Sequence, residues 1–461
     1  MAREPRGGQR TGRRSPVNTS QRILAQPLAL PCGSVIKNRL AKAAMSETLG
    51  TLDNRPTARL ARLYARWAEG GVGLSITGNV MIDRRALGEP GNVVVEDERD
   101  LAALSRWAAA GTREGAQLWM QLNHPGKQSP RGLNRETVAP SAIPFRPELA
   151  RFFDVPRALT AAEIEALVER FAGAAAVAKK AGFTGVQIHG AHGYLVSQFL
   201  SPHHNQRTDR WGGSPAKRRR FVLDVFAAIR SEVGKRFPVG IKLNSADFQR
   251  GGLTEEESLD TVRALADAGI DLVEISGGTY EAPAMTGVHA KESTRQREAY
   301  FLEFAEKARV AVTVPLMVTG GFRTLRGMAE AVRSGAVDLV GLARPLAIEP
   351  DLPARLLAGE DARYEVRPIT TGLNVIDRTG LMEVQWYTRQ LHRIGDGADP
   401  HPEESGLASF AIGLLENGWR TLRTRRLRAS LARRQTWLVR TCGRPPWKKP
   451  AMGATAPRPA A

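Results

Sequence analysis

The chain reads as an α/β protein of the (β/α)8 barrel class. Two observations predict it. Eight short apolar runs alternate with amphipathic helical patterns between residues 39 and 341. Polar residues and glycines gather just after those runs, at the strand ends where barrel enzymes carry their chemistry. A doubly wound sheet is the rival. It commonly opens with a Gly-rich phosphate turn after its first strand, and no such turn follows the first run here.

The elements follow in order. Residues 1–21 read as a basic, disordered tail and residues 22–360 as the barrel. Leu28–Val35 is expected to form a small hairpin closing the barrel bottom. Strands are expected at Arg39–Ala44, Val72–Thr77, Gln117–Leu122, Gly185–His189, Val239–Leu243, Leu272–Ile275, Leu316–Thr319 and Asp338–Gly341. Thr160-x-x-Glu163 is a capping box, with Ile164, Leu167, Val168 and Phe171 following at helical spacing and Gly182 placed to end the helix. Thr254-x-x-Glu257 opens another helix, with Gly269 at its end. Two connections are long. Residues 123–159, rich in Pro and Gly, are placed to cover part of the barrel mouth, and 202–217 is a polar loop of the length that often carries function. Residues 361–430 read as a helical extension. Leu407, Phe410, Ala411, Leu414, Leu415 and Leu422 recur there at helical spacing, which predicts a helix packed on the body; a membrane-surface or nucleic-acid helix is the sharper alternative. Residues 431–461 read as a second basic, disordered tail.

Composition narrows the function classes. The chain has 461 residues, 42% of them apolar, enough for a large core. No run of about 18 apolar residues exists, so no membrane span is expected, and the basic N-terminus lacks the apolar stretch of a secretory signal. Cys32 and Cys442 are the only cysteines, too few for a disulfide framework or an iron–sulfur site. A cytoplasmic protein is expected. The net charge of +19 suggests nucleic acid until it is located. Residues 1–20 carry five Arg and one Glu, and residues 418–461 carry ten Arg and two Lys with no acid. The tails therefore hold +16 and leave about +3 for the body, so nucleic acid is not expected as a partner of the central function. A homo-oligomer stays open.

The richest stretch is Gln187-Ile-His-Gly-Ala-His-Gly-Tyr194, at the end of the fourth run. A Gly-rich turn there can bring His189, His192 and Tyr194 around one small volume. Two imidazole N–H donors and a phenol can hold a carbonyl oxygen and deliver a proton beside it. Other polar residues fall on the same rim: Ser46 after run one, Gly78 after run two, Gln121 at the end of run three and Lys242 near the end of run five. Gly320-Gly321 and Arg344 suit a phosphate. Gln121 offers paired donor and acceptor atoms to a pyrimidine-like edge, and Lys242 can stabilise negative charge on a reduced ring. Together they describe a phosphorylated heterocycle across the barrel mouth.

Blander readings stand beside these. Tyr194 can pack on the rim, Gln121 can cap a loop, Ser46 can bond backbone, and Lys242 can pair with a carboxylate such as Asp247. His203-His204 reads as loop surface, because no acid or Cys sits at ligand spacing; no metal is expected. Arg207, Asp209 and Arg210 read as a loop-fixing ion network. Asp53 and Glu47 lack a partner at useful spacing. Cys32 reads as a buried small hydrophobe.

The chain resembles the Old Yellow Enzyme family of FMN-dependent ene-reductases, the NADH:flavin oxidoreductases. The resemblance runs through Lys37–Ser46, Gln121–Lys127, Gln187–Tyr194, Gln198–Pro202, Asn205–Asp209, Gly212–Ser214, Val318–Phe322 and Gly341–Pro345, over about residues 22–360. It implies FMN as cofactor and NADH or NADPH as reductant. It gives His189 and His192 the substrate's activating carbonyl oxygen and Tyr194 the proton for the α-carbon of an enone-type substrate. It sets Gln121 and Lys242 on the flavin pyrimidine, Ser46 on flavin O4, Ala43, Ala44 and Gly78 along the isoalloxazine, and Gly320, Gly321, Ala343 and Arg344 around the phosphate. Lys242 stands where many relatives have Arg, Ala44 where Pro is common, and Ser46 where Thr or Cys is usual. Lysine keeps the charge but loses the planar fork. The alternatives are a dienoyl reductase, demethylase or oxidase on the same barrel, and a basic binding protein acting through its tails.

Overall fold

The computed structural model describes residues 19–282, 298–364, 369–370, 381–416 and 418–424. Eight parallel strands close into a barrel: β1 Leu40–Lys42, β2 Leu74–Ile76, β3 Gln117–Asn123, β4 Gly185–Gly190, β5 Val239–Asn244, β6 Leu272–Ser276, β7 Leu316–Thr319 and β8 Leu339–Leu342. Each pairs with the next, and β8 returns to β1 through Val340↔Leu40, so no edge is left open. Every expected strand is present, displaced by no more than two residues at either end. Two short strands, Val80–Met81 and Val93–Val94, extend the sheet beside β3.

Helices cover the outside. They include α1 Ala58–Glu69, α2 Leu101–Gly111, α3 Ala161–Ala181, α4 Arg220–Val233, α5 Glu255–Asp267, α6 Leu302–Ala311 and α7 Leu325–Arg333. The capping box of α3 forms as its sequence dictates: Thr160 accepts from the Glu163 N–H while Glu163 accepts from the Thr160 N–H, and left-handed Gly182 closes the helix. At α5 the Thr254 side chain accepts from the Glu257 N–H.

The strand period of two separates the faces. On β3, Leu118, Met120 and Leu122 join the outer core with Phe171 and Ala174 of α3. Trp119 belongs to an inner cluster with Leu74, Leu272, Met317 and Leu339. Burying side chains of this size stabilises the fold by about 1.5–3 kcal/mol each. Gly185 and Gly240 make room for the Trp119 indole, since a Cβ on either would approach it to 2.6 or 2.8 Å. The expected hairpin forms between Leu28–Ala29 and Val35–Ile36. Its Leu28 and Ile36 seal the inner cluster from below, and Cys32 packs there half-buried.

Thr19–Leu24 is helical, so the end of the stretch expected to be a disordered tail is part of a helix. Residues 1–18 and 425–461 lie outside the described residues, with most of the two tails. The extension contains α8, Leu381–Gly395, and helical residues over 406–416 and 418–424. These last residues correct an expectation. Gly406, Ser409 and Thr424 face the body, while Leu407, Leu414, Leu415 and Leu422 are exposed. Small residues allow close backbone approach on the packed side, so the leucines fall on the opposite face.

Candidate active site

The C-terminal ends of the strands bring most of the expected residues together. Above the Trp119 layer lies a buried polar layer. Lys242 Nζ pairs with Glu274 Oε1 at 2.9 Å. Gln187 donates to Glu274 (2.7 Å), Thr319 donates to it (2.6 Å), and Gln121 donates to Gln187 (2.7 Å). The partner of Lys242 is thus Glu274 on the neighbouring strand, and Asp247 instead accepts from Asn244 and the Leu253 N–H. Strand register decides this, because Lys242 and Glu274 are paired positions on β5 and β6.

His189, at the end of β4, lies above that layer. The following turn needs left-handed backbone at His192 (φ 61°) and Gly193 (φ 77°). It folds three rings onto one spot, with His189 5.2 Å from His192 and 4.7 Å from Tyr194 between centroids. The Ala191 N–H donates to His189 Nδ1 (3.3 Å), which leaves the single proton of a neutral ring on Nε2. His192 Nε2 meets Ser276 Oγ at 2.7 Å, and its backbone N–H donates to Asn244. Burial, with the nearby Lys242 charge, pushes His192 down to about 3 and His189 well below its ordinary value, so both are neutral donors. Burial drives Tyr194 well above the usual phenol range, which keeps its proton in place. The Tyr194 hydroxyl meets Tyr280 Oη at 3.0 Å and accepts from Asn79 at 3.4 Å.

The other rim carries the remaining residues. Ala43 is tied to β8 by its N–H to Leu342 O (2.8 Å), with Ala44 and Ala343 beside the inner cluster. Gly320 and Gly321 adopt φ of 114° and 90°, a conformation that glycine alone takes freely. Arg344 follows β8 and pairs with Glu383 of α8 at 3.1 Å. One guanidinium nitrogen thus meets one carboxylate oxygen, and the fork is of the kind that can hold a further oxyanion. Gly78 is required on packing grounds alone, because a Cβ there would lie 2.2 Å from Met45 O. Its N–H donates to Glu47 at 2.8 Å. Glu47 also accepts from Tyr64 and lies 4.0 Å from Lys42, so it has partners that sequence spacing could not reveal. Asp53 likewise pairs with Arg55 at 2.7 Å. Lys42, pushed down to about 7 by burial, donates to Tyr64 and lies 4.5 Å from the Trp67 ring.

His203-His204 needs a larger correction. His204 is buried, 3.7 Å from Glu281, and both histidines gather with that acid in one cluster. Glu281 comes from the loop after β6, too far along the chain for spacing to show. Lys127 occupies the charge-balancing position, 3.3 Å from Glu281 and 4.1 Å from the Phe145 ring. The Lys127–Glu281 ion pair thus joins the loops after β3 and β6, and His204 of the β4 loop, kept neutral by burial, packs against the same carboxylate. Arg207 and Asp209 pair as expected, and Arg207 also holds Pro140 O and Leu159 O.

A match to the family model "NADH:flavin oxidoreductase / NADH oxidase family" spans residues 24–362. The chain belongs to the Old Yellow Enzyme family. It is 40% identical to "NADH-dependent flavin oxidoreductase iliE" of Neonectria sp. (strain DH2), over 71% of this chain and 46% of that one. It thus spans about half of that relative's length. To the protein of the same description in Hypocrea jecorina (strain QM6a) it is 40% identical, over 73% of this chain and 89% of the other. Among solved Old Yellow Enzyme structures, the homologue from Zymomonas mobilis superposes with a TM-score of 0.64 at 27% identity, over 74% of this chain and 94% of that one. Several residues of this Old Yellow Enzyme barrel mouth, Ser276 and Asn79 among them, had no signal in its sequence. Tyr280 reaches Tyr194, and Glu89 accepts from Ser46.

Proposed function

We propose that the chain is a flavin-dependent reductase of α,β-unsaturated carbonyl compounds, holding FMN across the barrel mouth and using NADH or NADPH as reductant. The observation that carries this reading is the buried cluster of two neutral imidazoles and an un-ionised phenol. Bound FMN supplies the hydride exchange with nicotinamide and alkene. Gly320, Gly321, Ala343 and Arg344 would hold its phosphate, Gln121 and Lys242 its pyrimidine, Ser46 its O4 edge, and Ala43, Ala44 and Gly78 its ring.

The chain's own residues do the rest. His189 offers its Nε2–H to the substrate's carbonyl oxygen. Ser276 has its own hydroxyl proton, and by donating it to His192 Nε2 leaves His192 with an Nδ1–H for the same oxygen. Both rings stay neutral, so they polarise the carbonyl without giving up a proton. Tyr194 delivers its phenol proton to the α-carbon. Tyr280 and Asn79 then donate to the oxygen left behind. The loop over 123–159, stapled through Lys127 to Glu281, limits water at the mouth.

The test is purification under mild conditions, an absorption spectrum and turnover of cyclohexenone. Bound FMN and NAD(P)H-dependent reduction are expected. Tyr194→Phe should slow the alkene half-reaction about a hundredfold or more, with flavin reduction unchanged. A protein that takes up no FMN refutes the reading, and equal slowing of both half-reactions removes Tyr194 as the acid.

A further inference from the structure

Glu89 lies on the loop between Val80–Met81 and Val93–Val94 and takes no part in the steps above. Its position is over-determined. Asn92 Oδ1 accepts from the N–H groups of Gly88 (3.1 Å) and Glu89 (2.7 Å). On the near side Asn134 Oδ1 accepts from the Leu87 N–H (3.0 Å), and on the far side Gly91 O accepts from the Gly50 N–H (2.8 Å). The loop thus aims the carboxyl at the mouth, where Ser46 Oγ meets it.

The groups facing Glu89 are Ser46 and Glu47 from the β1 loop, the Asn92 side chain, Tyr194 from the β4 turn and Tyr280 from the β6 loop. None of these is a cation. Arg420, from the helical residues 418–424, donates to Thr48 O (2.7 Å). A serine hydroxyl has one proton. An ionised Glu89 can only accept, so it takes that proton and leaves Ser46 as an acceptor toward any ligand. A protonated Glu89 donates to Ser46 Oγ and releases the serine proton toward the mouth.

We propose that Glu89 is a positioning residue for the flavin, deciding through Ser46 Oγ whether the serine hydroxyl is offered to the flavin's carbonyl edge and so coupling flavin binding to pH. This rests on the flavin reading of the barrel mouth. Burial without a counter-cation raises the Glu89 carboxyl above its ordinary value. Linkage fixes the sign: FMN binds more tightly when Glu89 is protonated, and bound FMN raises the Glu89 pKa in return. The size is that of one net hydrogen bond, about fivefold in affinity.

The experiment titrates FMN into flavin-free protein and follows quenching of FMN fluorescence from about pH 5 to about pH 9, spanning raised carboxyl values. For the wild type, Kd should rise about fivefold with the loss of one proton. Glu89→Gln keeps the shape and supplies an N–H to Ser46 at every pH, so this step should vanish and Kd should stay at its low-pH level. Ser46→Ala should be flat at the weak level, and adding Glu89→Gln to it should change nothing. Titration of the FMN phosphate is common to all four proteins and cancels in the comparison. A step that survives in Glu89→Gln, or an effect of Glu89→Gln in the Ser46→Ala background, overturns the proposal while leaving FMN binding intact. Failure of the wild type to bind FMN overturns the flavin reading and this proposal together.

Discussion

Glu274 should be the single most costly polar residue to remove from the barrel. Its carboxylate accepts from Lys242 (2.9 Å), Gln187 (2.7 Å) and Thr319 (2.6 Å), and both members of the ion pair are nearly inaccessible, 4% and 0% exposed at their side chains. Glu274→Ala leaves the Lys242 ammonium buried without a partner. Breaking such a pair costs about 3–5 kcal/mol. The Gln187 amide is left without an acceptor as well, about 1 kcal/mol more. A loss of about 5 kcal/mol is a large part of the 5–15 kcal/mol typical of whole domains. Lys242→Met combined with Glu274→Gln removes both charges and keeps one acceptor oxygen, so most of the stability should return. The assay is urea unfolding of flavin-free protein followed by tryptophan fluorescence, with Trp119 in the layer below. The reasoning is refuted if Glu274→Ala costs less than about 1 kcal/mol, or if the double variant is simply additive.

Two further predictions concern titration and the phosphate. His124 is buried and held down to about 4, chiefly by burial, against an ordinary value of 6.5. Below pH 6.5 the unfolded chain binds a proton that the fold refuses, so this stability is present above 6.5 and lost as pH falls toward 4, about 3 kcal/mol in all. His124→Asn keeps an acceptor for the Gly126 N–H and should flatten the acid limb of an unfolding-versus-pH curve by one proton; an unchanged slope counts against it. Arg344→Gln should weaken FMN about tenfold or more, the value of a charge-assisted hydrogen bond, and leave riboflavin affinity unchanged. Equal weakening of both ligands would place Arg344 away from the phosphate.

The barrel was legible because its signals are local. A run such as Val239–Leu243 has the length and branching of a strand buried on both faces, and the box at Thr160–Glu163 marks a helix start whatever surrounds it. The His189–Tyr194 cluster was legible for the same reason, since one turn carries all three rings. What escaped depends on register and on loops crossing the mouth. Nothing within a few residues of Lys242 reveals Glu274, which neighbours it only because β5 and β6 pair there. Glu281 reaches His204 from the loop after another strand, and Glu89 reaches Ser46 across 43 residues. The packing of helical residues 406–416 and 418–424 escaped for a different reason. Helical spacing shows that their leucines share a face, but it does not say whether that face turns inward, and here the small residues pack instead.

The vertical order inside the barrel explains how its mouth can hold neutral donors so close to charge. Trp119 and its apolar neighbours close the bottom and exclude water from below. The buried Lys242 of the next layer is matched by Glu274, while its ammonium still disfavours protonation of the histidines above. In the proposed reaction neutral imidazoles would donate to a carbonyl oxygen without becoming acids, which would leave proton delivery to Tyr194. The Lys242–Glu274 pair therefore links stability to chemistry. Removing the lysine charge lets His192 titrate nearer its ordinary value, and a protonated His192 would compete with Tyr194 as proton donor.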